Sequence, residues 1–180
     1  MASRKKGIHD TNLMRTGRYL GIEVRGRGFG FVVLEDRSVL DFGNRRCSGS
    51  AREEQVRRQI KRILEVFRPQ VMVLRKLHGR KAGVNDAARK IRQVILQEAR
   101  QRGITVEPVS SSAVLRCFER WNARKKYEIS LAVAKLLPDL EWALPPKRRA
   151  WEAEHPRTPI FEAAASILGH LHERYPNRSA

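Results

Sequence analysis

The chain has 180 residues, with 37 Lys and Arg against 19 Asp and Glu, a formal charge of +18 and a pI near 11.1. It is long enough to bury one core, and so large a cationic excess favours a polyanion through counterion release, with nucleic acid the expected partner. Two widely separated cysteines, Cys47 and Cys117, exclude a disulfide scaffold and a structural zinc site and suit a reduced cytoplasmic setting, while the lack of any apolar run of about 18 residues excludes a membrane span.

Residues 1–18 are polar and basic, carry Arg4, Lys5, Lys6, Arg15 and Arg18, and lack an apolar signal core; they read as a flexible arm before a single domain over 19–175 and a tail at 176–180. Three strands are expected first, at 19–24, 29–34 and 39–42, separated by the turn sequences Gly26-Arg27-Gly28 and Glu35-Asp36-Arg37. Three strands before any helix argue against a dinucleotide-binding start, and no helix opens after Gly26, Gly28 and Gly30. Ser50 and Glu53 form a capping-box pattern ahead of Val56, Ile60, Leu64 and Phe67, and Pro69 ends that helix. An apolar strand at 70–74 leads into a basic, glycine-bearing loop with His78, Arg80 and Lys81. Asn85 is placed to cap a second helix whose inner face carries Ala88, Ile91, Ile95 and Ala99; Gly103 ends it and 104–107 returns as a strand. Ser110 to Ser112 cap a short helix, 126–137 forms another before Pro138, and Leu144-Pro145-Pro146-Lys147 breaks the pattern. Thr158 caps a closing helix with Pro159 at its first position and Ile160, Ala164, Ile167 and Leu171 as its buried stripe.

Four segments carry chemistry in this order. They are Leu20-Gly21-Ile22-Glu23, Pro69-Gln70-Val71-Met72-Val73-Leu74, Lys125-Lys126-Tyr127-Glu128-Ile129 and Ile160-Phe161-Glu162-Ala163-Ala164-Ala165. Together they resemble the RuvC-type Holliday junction resolvases of the RNase H-like superfamily. The resemblance implies an α/β fold, a mixed five-stranded sheet with helices on both faces, and a homodimer matched to a two-fold substrate. It also implies an endonuclease using Mg²⁺ or Mn²⁺, with Asp ending the first strand, Glu ending the fourth, and Asp opening the last helix. Such carboxylates hold two divalent ions about 4 Å apart, which activate water and stabilise the leaving oxygen.

This chain departs from that pattern at each position. Glu23 and Glu162 replace the two aspartates, and Arg75 stands where the fourth strand's Glu belongs. A guanidinium is permanently protonated and only donates, so it repels a metal ion. The matched positions sum to two negative charges and one positive. The expected outcome is a metal site that has decayed, with Arg75 neutralising Glu23 and Glu162 as an internal salt bridge. The competing expectation is a working endonuclease in which Glu23 and Glu162 are catalytic and hold a weakly bound ion, with Glu154 as a substitute acid nearby. More ordinary readings stand beside both. Glu23 could be solvated beside Arg25, Glu162 could serve the dipole of its helix's first turn, and His170 and His172 read as surface residues.

The residues expected to touch nucleic acid are Lys76, Arg80 and Lys81, Arg89 on the second helix, and Arg120, Arg124, Lys125 and Lys126, with phosphate contacts dominating over base reading. The aromatics Phe118, Trp121 and Tyr127 interleave the later group, and Lys147, Arg148 and Arg149 lie beside Trp142 and Trp151; Trp121 and Trp151 read as partly buried anchors rather than base platforms. The leading functional expectation is a protein of RuvC-like fold that binds structured or branched DNA or RNA, associated with the nucleoid or with ribonucleoprotein. A ribonucleoprotein component that uses the fold as a basic wedge is a further alternative.

Overall fold

The computed structural model describes residues 17–36, 38–76 and 86–175. The expected loop with Arg80 and Lys81, the cap Asn85, most of the basic arm and the tail lie outside the described residues. Five strands form one mixed sheet in the order β3-β2-β1-β4-β5. β1 (Arg18–Arg25), β2 (Gly28–Glu35) and β3 (Ser38–Arg46) form an antiparallel meander, and β4 (Val71–Arg75) and β5 (Thr105–Val109) run parallel to β1. This is the expected α/β architecture, with helices on both faces.

Side chains alternate across a strand, so β1 serves two layers. Leu20 and Ile22, with Phe29, Phe31 and Val33 of β2 and Met72 and Leu74 of β4, pack under α1 (Arg52–Phe67) and α2 (Asp86–Gln101). Tyr19, Val32, Leu34 and Val73 pack on the other face with α3 (Ser111–Cys117), α4 (Lys126–Leu136) and α5 (Thr158–Arg174). α5 is the central element of that second layer, because every residue from Thr158 to Leu171 is buried. The expected single buried stripe is therefore too narrow. The sheet covers one side of α5, and α3 and α4 cover the others.

Glycines let α5 come down onto the sheet. A Cβ at Gly21 would lie 2.4 Å from the carbonyl oxygen of Ala163, and one at Gly30 would lie 2.6 Å from the backbone of Pro159. Gly30 is the β2 partner of Glu23, so the close approach falls at the end of β1.

The helix ends differ in detail from expectation. α1 begins at Arg52 behind Ala51, so Ser50 lies one residue too early to cap it and the Ser50–Glu53 box does not form; Glu53 and Glu54 instead sit in its first turn. α5 begins at Thr158 behind Arg157, which makes Thr158 its first residue rather than its cap. Ser110 does cap α3, its Oγ accepting from the Ala113 N–H at 3.0 Å, and Gly103 takes the left-handed conformation after α2. β3 extends to Arg46, well past 42, because the polar residues Asn44, Arg45 and Arg46 continue to pair with Gly30, Phe29 and Gly28 along an edge strand. Pro108 is accommodated in β5 because that strand is the opposite edge.

Candidate functional site

The alternation that sends Leu20 and Ile22 to one layer sends Gly21, Glu23 and Arg25 to the other, against the start of α5. There Glu162, on the second turn of α5, faces the end of β1. Glu23 and Glu162 are both 8% exposed. The Arg25 guanidinium closes the space between them. Its Nη1 donates to Glu23 Oε1, its Nη2 to Glu162 Oε2, and its Nε to Glu154 Oε2 at 3.3 Å. Lys126, at the start of α4, donates through Nζ to Glu154 Oε1 at 2.6 Å and lies 3.2 Å from Glu162 Oε1. Three carboxylates thus share two cations, drawn from β1, α4, α5 and the segment before α5. Glu162 is not a solvated helix-end acid, and Glu23 is not a solvated strand-end one.

The cluster polarises its members in opposite directions. Burial pushes the Glu23 carboxyl above its usual range and the charge of Glu162 adds to this, against the opposing pull of Arg25 and Arg75. Glu154 shifts the other way. Burial alone would raise it, but the Lys126 hydrogen bond and the charges of Arg25 and Lys126 together hold it below the ordinary value. Burial weakens the charged forms of Arg25 and Lys126, yet their carboxylate partners outweigh it and hold both cations more firmly protonated.

The expected Arg75 bridge is not formed. Arg25 makes the ion pairs, because it lies two residues beyond Glu23 on the same face of β1 and its side chain folds back over the carboxylate. Arg75 ends β4 one strand away, beyond the last β1–β4 pair, Ile22 with Leu74. Its charge reaches Glu23, but no ion pair joins it to a carboxylate among the described residues, and its buried Nε has no hydrogen-bond partner. Arg92 of α2 donates from Nη1 to the Arg75 carbonyl at 3.0 Å. A second buried polar atom without a partner is Glu23 Oε2.

In this arrangement the donor set does not fit a pair of divalent cations. A guanidinium occupies the space between the two best-placed carboxylates, a second arginine stands at the third position, and an ammonium holds the other oxygens of Glu154 and Glu162. Among the described residues no three His, Cys, Asp or Glu side chains come together as metal ligands. Glu23 Oε2, the one buried carboxylate oxygen without a partner among the described residues, is a single acceptor rather than a coordination sphere.

The expected nucleic-acid contacts divide. Arg124 and Lys126 come together with Arg75 around a cleft of about 140 Å³ beside Glu162. Lys125 is exposed at the start of α4, and its backbone N–H and that of Arg124 both donate to Glu128 at 2.9 Å, holding that carboxyl below its usual range. Lys76 is exposed just past β4, and Arg89 lies on the outer face of α2, 3.7 Å from Asp86. Arg120 lies over the Trp121 ring at 4.0 Å, and Trp121 is half-buried against Phe118, as expected of an anchor. Trp151 is no such anchor. It is 78% exposed with Arg149 over it, and Trp142 is 70% exposed with Arg157 over it. Their segment packs through Leu140, Ala143 and Pro145, so both tryptophan rings are left on its outer side, Trp142 touching Phe42. His170 is buried against Tyr19 rather than on the surface, because α5 is covered on all sides.

Sequence reasoning passed over Arg25 as a site residue, and placed Lys126 on the nucleic acid alone. The signal for Arg25 was present: an acid and a base two apart in a strand share a face. Nothing comparable announced Lys126, whose pairing with Glu154 depends on how the segment before α5 crosses α4.

No protein-family model matches the sequence, and no curated protein matches it significantly. Solved structures do match in shape. Thermus thermophilus RuvC aligns at 17% identity with a TM-score of 0.67, covering 88% of this chain and 96% of that one. The same enzyme in complex with a Holliday junction substrate aligns at 17% identity with a TM-score of 0.66, covering 88% and 95%. The yeast mitochondrial Holliday junction resolvase Ydc2 aligns at 14% identity with a TM-score of 0.55, covering 93% of this chain and 85% of its own. The chain therefore has the RuvC-like, RNase H-like fold. Among the described residues no helix is long and apolar enough to cross a membrane.

Proposed function

We propose that this chain is a nucleic-acid-binding protein that uses a RuvC-like nuclease fold to hold structured or branched DNA or RNA by its phosphates, with a carboxylate cluster closed by Arg25 instead of divalent ions. The observation that carries this reading is the Arg25 guanidinium donating to Glu23 and Glu162 at once. An internal cation of fixed charge satisfies carboxylates that would otherwise be buried unpaired, and it does so without the open positions that water activation needs. The formal charge of +18 supplies the attraction to phosphate, and Arg124, Lys125 and Lys126 border the same face. The likeness to a RuvC solved with a Holliday junction makes a four-way junction the first substrate to try, and a homodimer the assembly that would match it. A nucleoid or ribonucleoprotein setting follows from the same charge.

One observation favours a second reading. Glu154 joins Glu23 and Glu162 through Arg25, so three acids surround one cation. If Arg25 withdrew on substrate binding, these three would be the ligands of an Mg²⁺- or Mn²⁺-dependent endonuclease.

The deciding experiment offers labelled four-way junction, duplex and structured RNA with Mg²⁺ or Mn²⁺, and measures binding to the same molecules in EDTA. Salt-sensitive binding without a cut is expected. Metal-dependent cutting that disappears in both Glu23→Gln and Glu162→Gln would replace this reading with the nuclease one.

A further inference from the structure

We infer that the cleft between the end of β4 and the starts of α3 and α4 is a metal-independent seat for one backbone phosphodiester, with Arg75 as its floor and Arg124 and Lys126 at its rim. The inference deepens the binding reading above and rests on it. Arg75 is the unusual element. It takes the position where the resemblance places an acid, yet it forms no ion pair among the described residues: Arg25 and Lys126 already pair with Glu23, Glu154 and Glu162. Its Nε is buried without a partner, an arrangement that costs free energy unless an acceptor arrives. The cleft beside it, about 140 Å³, is open on one side and lined also by Arg124, Lys126, Ser111 and Glu162.

The charges in the cleft select an anion. The Arg75 and Arg124 guanidinium groups form no ion pair with a carboxylate among the described residues. Lys126 directs its ammonium at two carboxylates, and an ammonium has a third donor. Glu162 is the acid on this wall, and it is already held by Arg25 and Lys126. A guanidinium presents a planar fork that matches two phosphate oxygens, and charge-assisted hydrogen bonds of this kind are about twice as strong as neutral ones. Where two metal ions would draw a phosphate to this centre, three side-chain cations take that role and cut nothing.

The test measures junction binding in EDTA across a salt series for the wild type, Arg75→Gln, Arg124→Gln and the control Lys61→Gln on α1. Arg75→Gln should weaken binding about tenfold and lower the slope of log K against log salt by about 1. Arg124→Gln, at an exposed position that folding tolerates, should weaken it severalfold, and Lys61→Gln should leave it unchanged. A junction carrying single neutral methylphosphonates, scanned along one arm, should reveal a position that costs the wild type affinity and costs Arg75→Gln none. Inorganic phosphate is the second arm, and it should compete only weakly. Binding by Arg75→Gln and Arg124→Gln equal to wild type overturns the seat while leaving the binding reading intact, even if inorganic phosphate perturbs the Arg75 Nε–H resonance. If Arg75→Gln does not fold, Arg124→Gln and the methylphosphonate scan decide. A wild type that binds no nucleic acid removes the binding reading and the seat together.

Discussion

The two faces of the central sheet are built from the same strands and use opposite means. Toward α1 and α2, β1 and β2 present Leu20, Ile22, Phe29, Phe31 and Val33, all buried, against Val56, Ile60, Ile91 and Ile95. Toward α5 they present Gly21 and Gly30, where no side chain would fit, and then the pair Glu23 and Arg25. One layer holds the fold together with bulk. The other gives up bulk so that a helix backbone can approach, and that approach half-desolvates a set of charges. Stability and chemistry are thus divided between odd and even positions of a single strand.

The division is tested most severely at two adjacent residues. Leu20→Ala should cost about 2–5 kcal/mol by leaving a cavity in the apolar layer. It should leave nucleic-acid affinity unchanged at temperatures where the protein is folded. Gly21→Ala makes the reverse change in volume one residue on, yet it should also destabilise, by about 1–3 kcal/mol, because its Cβ would meet the Ala163 carbonyl at 2.4 Å. Unlike Leu20→Ala it should shift α5 and so disturb the Arg25–Glu162 contact, which the Arg25 Nη2–H resonance reports. Urea titrations and that resonance in both variants check the pair. Equal resonances in the two would mean that the faces are not independent.

Arg25→Ala sharpens the comparison on the charged side. Removing the partner of buried carboxylates costs about 3–5 kcal/mol when burial is complete, but the Arg25 side chain is 32% exposed, so about 1–3 kcal/mol is expected. The variant should gain thermal stability from millimolar Mg²⁺ or Mn²⁺ as the freed acids recruit a cation, whereas the wild type should not. A wild type stabilised by either ion to the same extent would show that Arg25 does not close the cluster.

How far these features were legible in the sequence follows the same division. The periodic stretches settled the element order, since Val56, Ile60, Leu64 and Ile91, Ile95, Ala99 each face one apolar layer, while the RuvC-like architecture was read from the resemblance carried by the four short segments around Glu23, Leu74, Lys126 and Glu162. α5 was harder to read. A helix buried on every side is not marked by one stripe, and Glu162, outside the expected stripe and open to reading as a first-turn acid, is in fact enclosed. Arg75 was read as the neutralising cation because an alignment by position ignores reach. A strand's own residue two places on reaches Glu23 more directly than one on the neighbouring strand. The pairing of Lys126 with Glu154 joins residues 28 apart through an irregular segment, and no local pattern encodes it. The length of β3 was hidden by Asn44, Arg45 and Arg46, which pair by backbone rather than by side chain.

Acidity should expose a smaller asymmetry inside the cluster. Glu154 has its folded pKa held below the unfolded value, so its contribution to stability is present above the ordinary carboxylate range and is lost as pH falls through the lowered value. Glu23 has its folded pKa raised, so its contribution is present below that range and is lost as pH rises through the raised value. Carboxyl carbon chemical shifts followed against pH should show Glu23 taking up a proton well before Glu154 on acidification. The stability difference between wild type and Glu154→Gln should shrink toward zero at the acid end. Glu154 protonating first would mean that Lys126 and Arg25 do not govern it.

The smallest effect on stability belongs to the exposed aromatics, where the layered logic ends. Trp142 sits on the short helical turn Pro138–Ala143, tilted against Phe42 at 5.4 Å, and has Arg157 over its ring. With 70% of the residue in water, Trp142→Ala should change stability by only about 0.5 kcal/mol. Half-buried Trp121, packed on Phe118, should cost several times more when truncated. Binding should rank the two the other way. A cation-capped ring left in solvent suits a stacked base, worth about 1–3 kcal/mol where the base is unpaired and little where it is held in a duplex. Trp142→Ala should therefore weaken binding to a junction with unpaired bases more than binding to closed duplex. A loss of stability above about 2 kcal/mol, with no change in that ratio, would make the Trp142–Phe42 contact structural and return this edge of the sheet to the apolar layer.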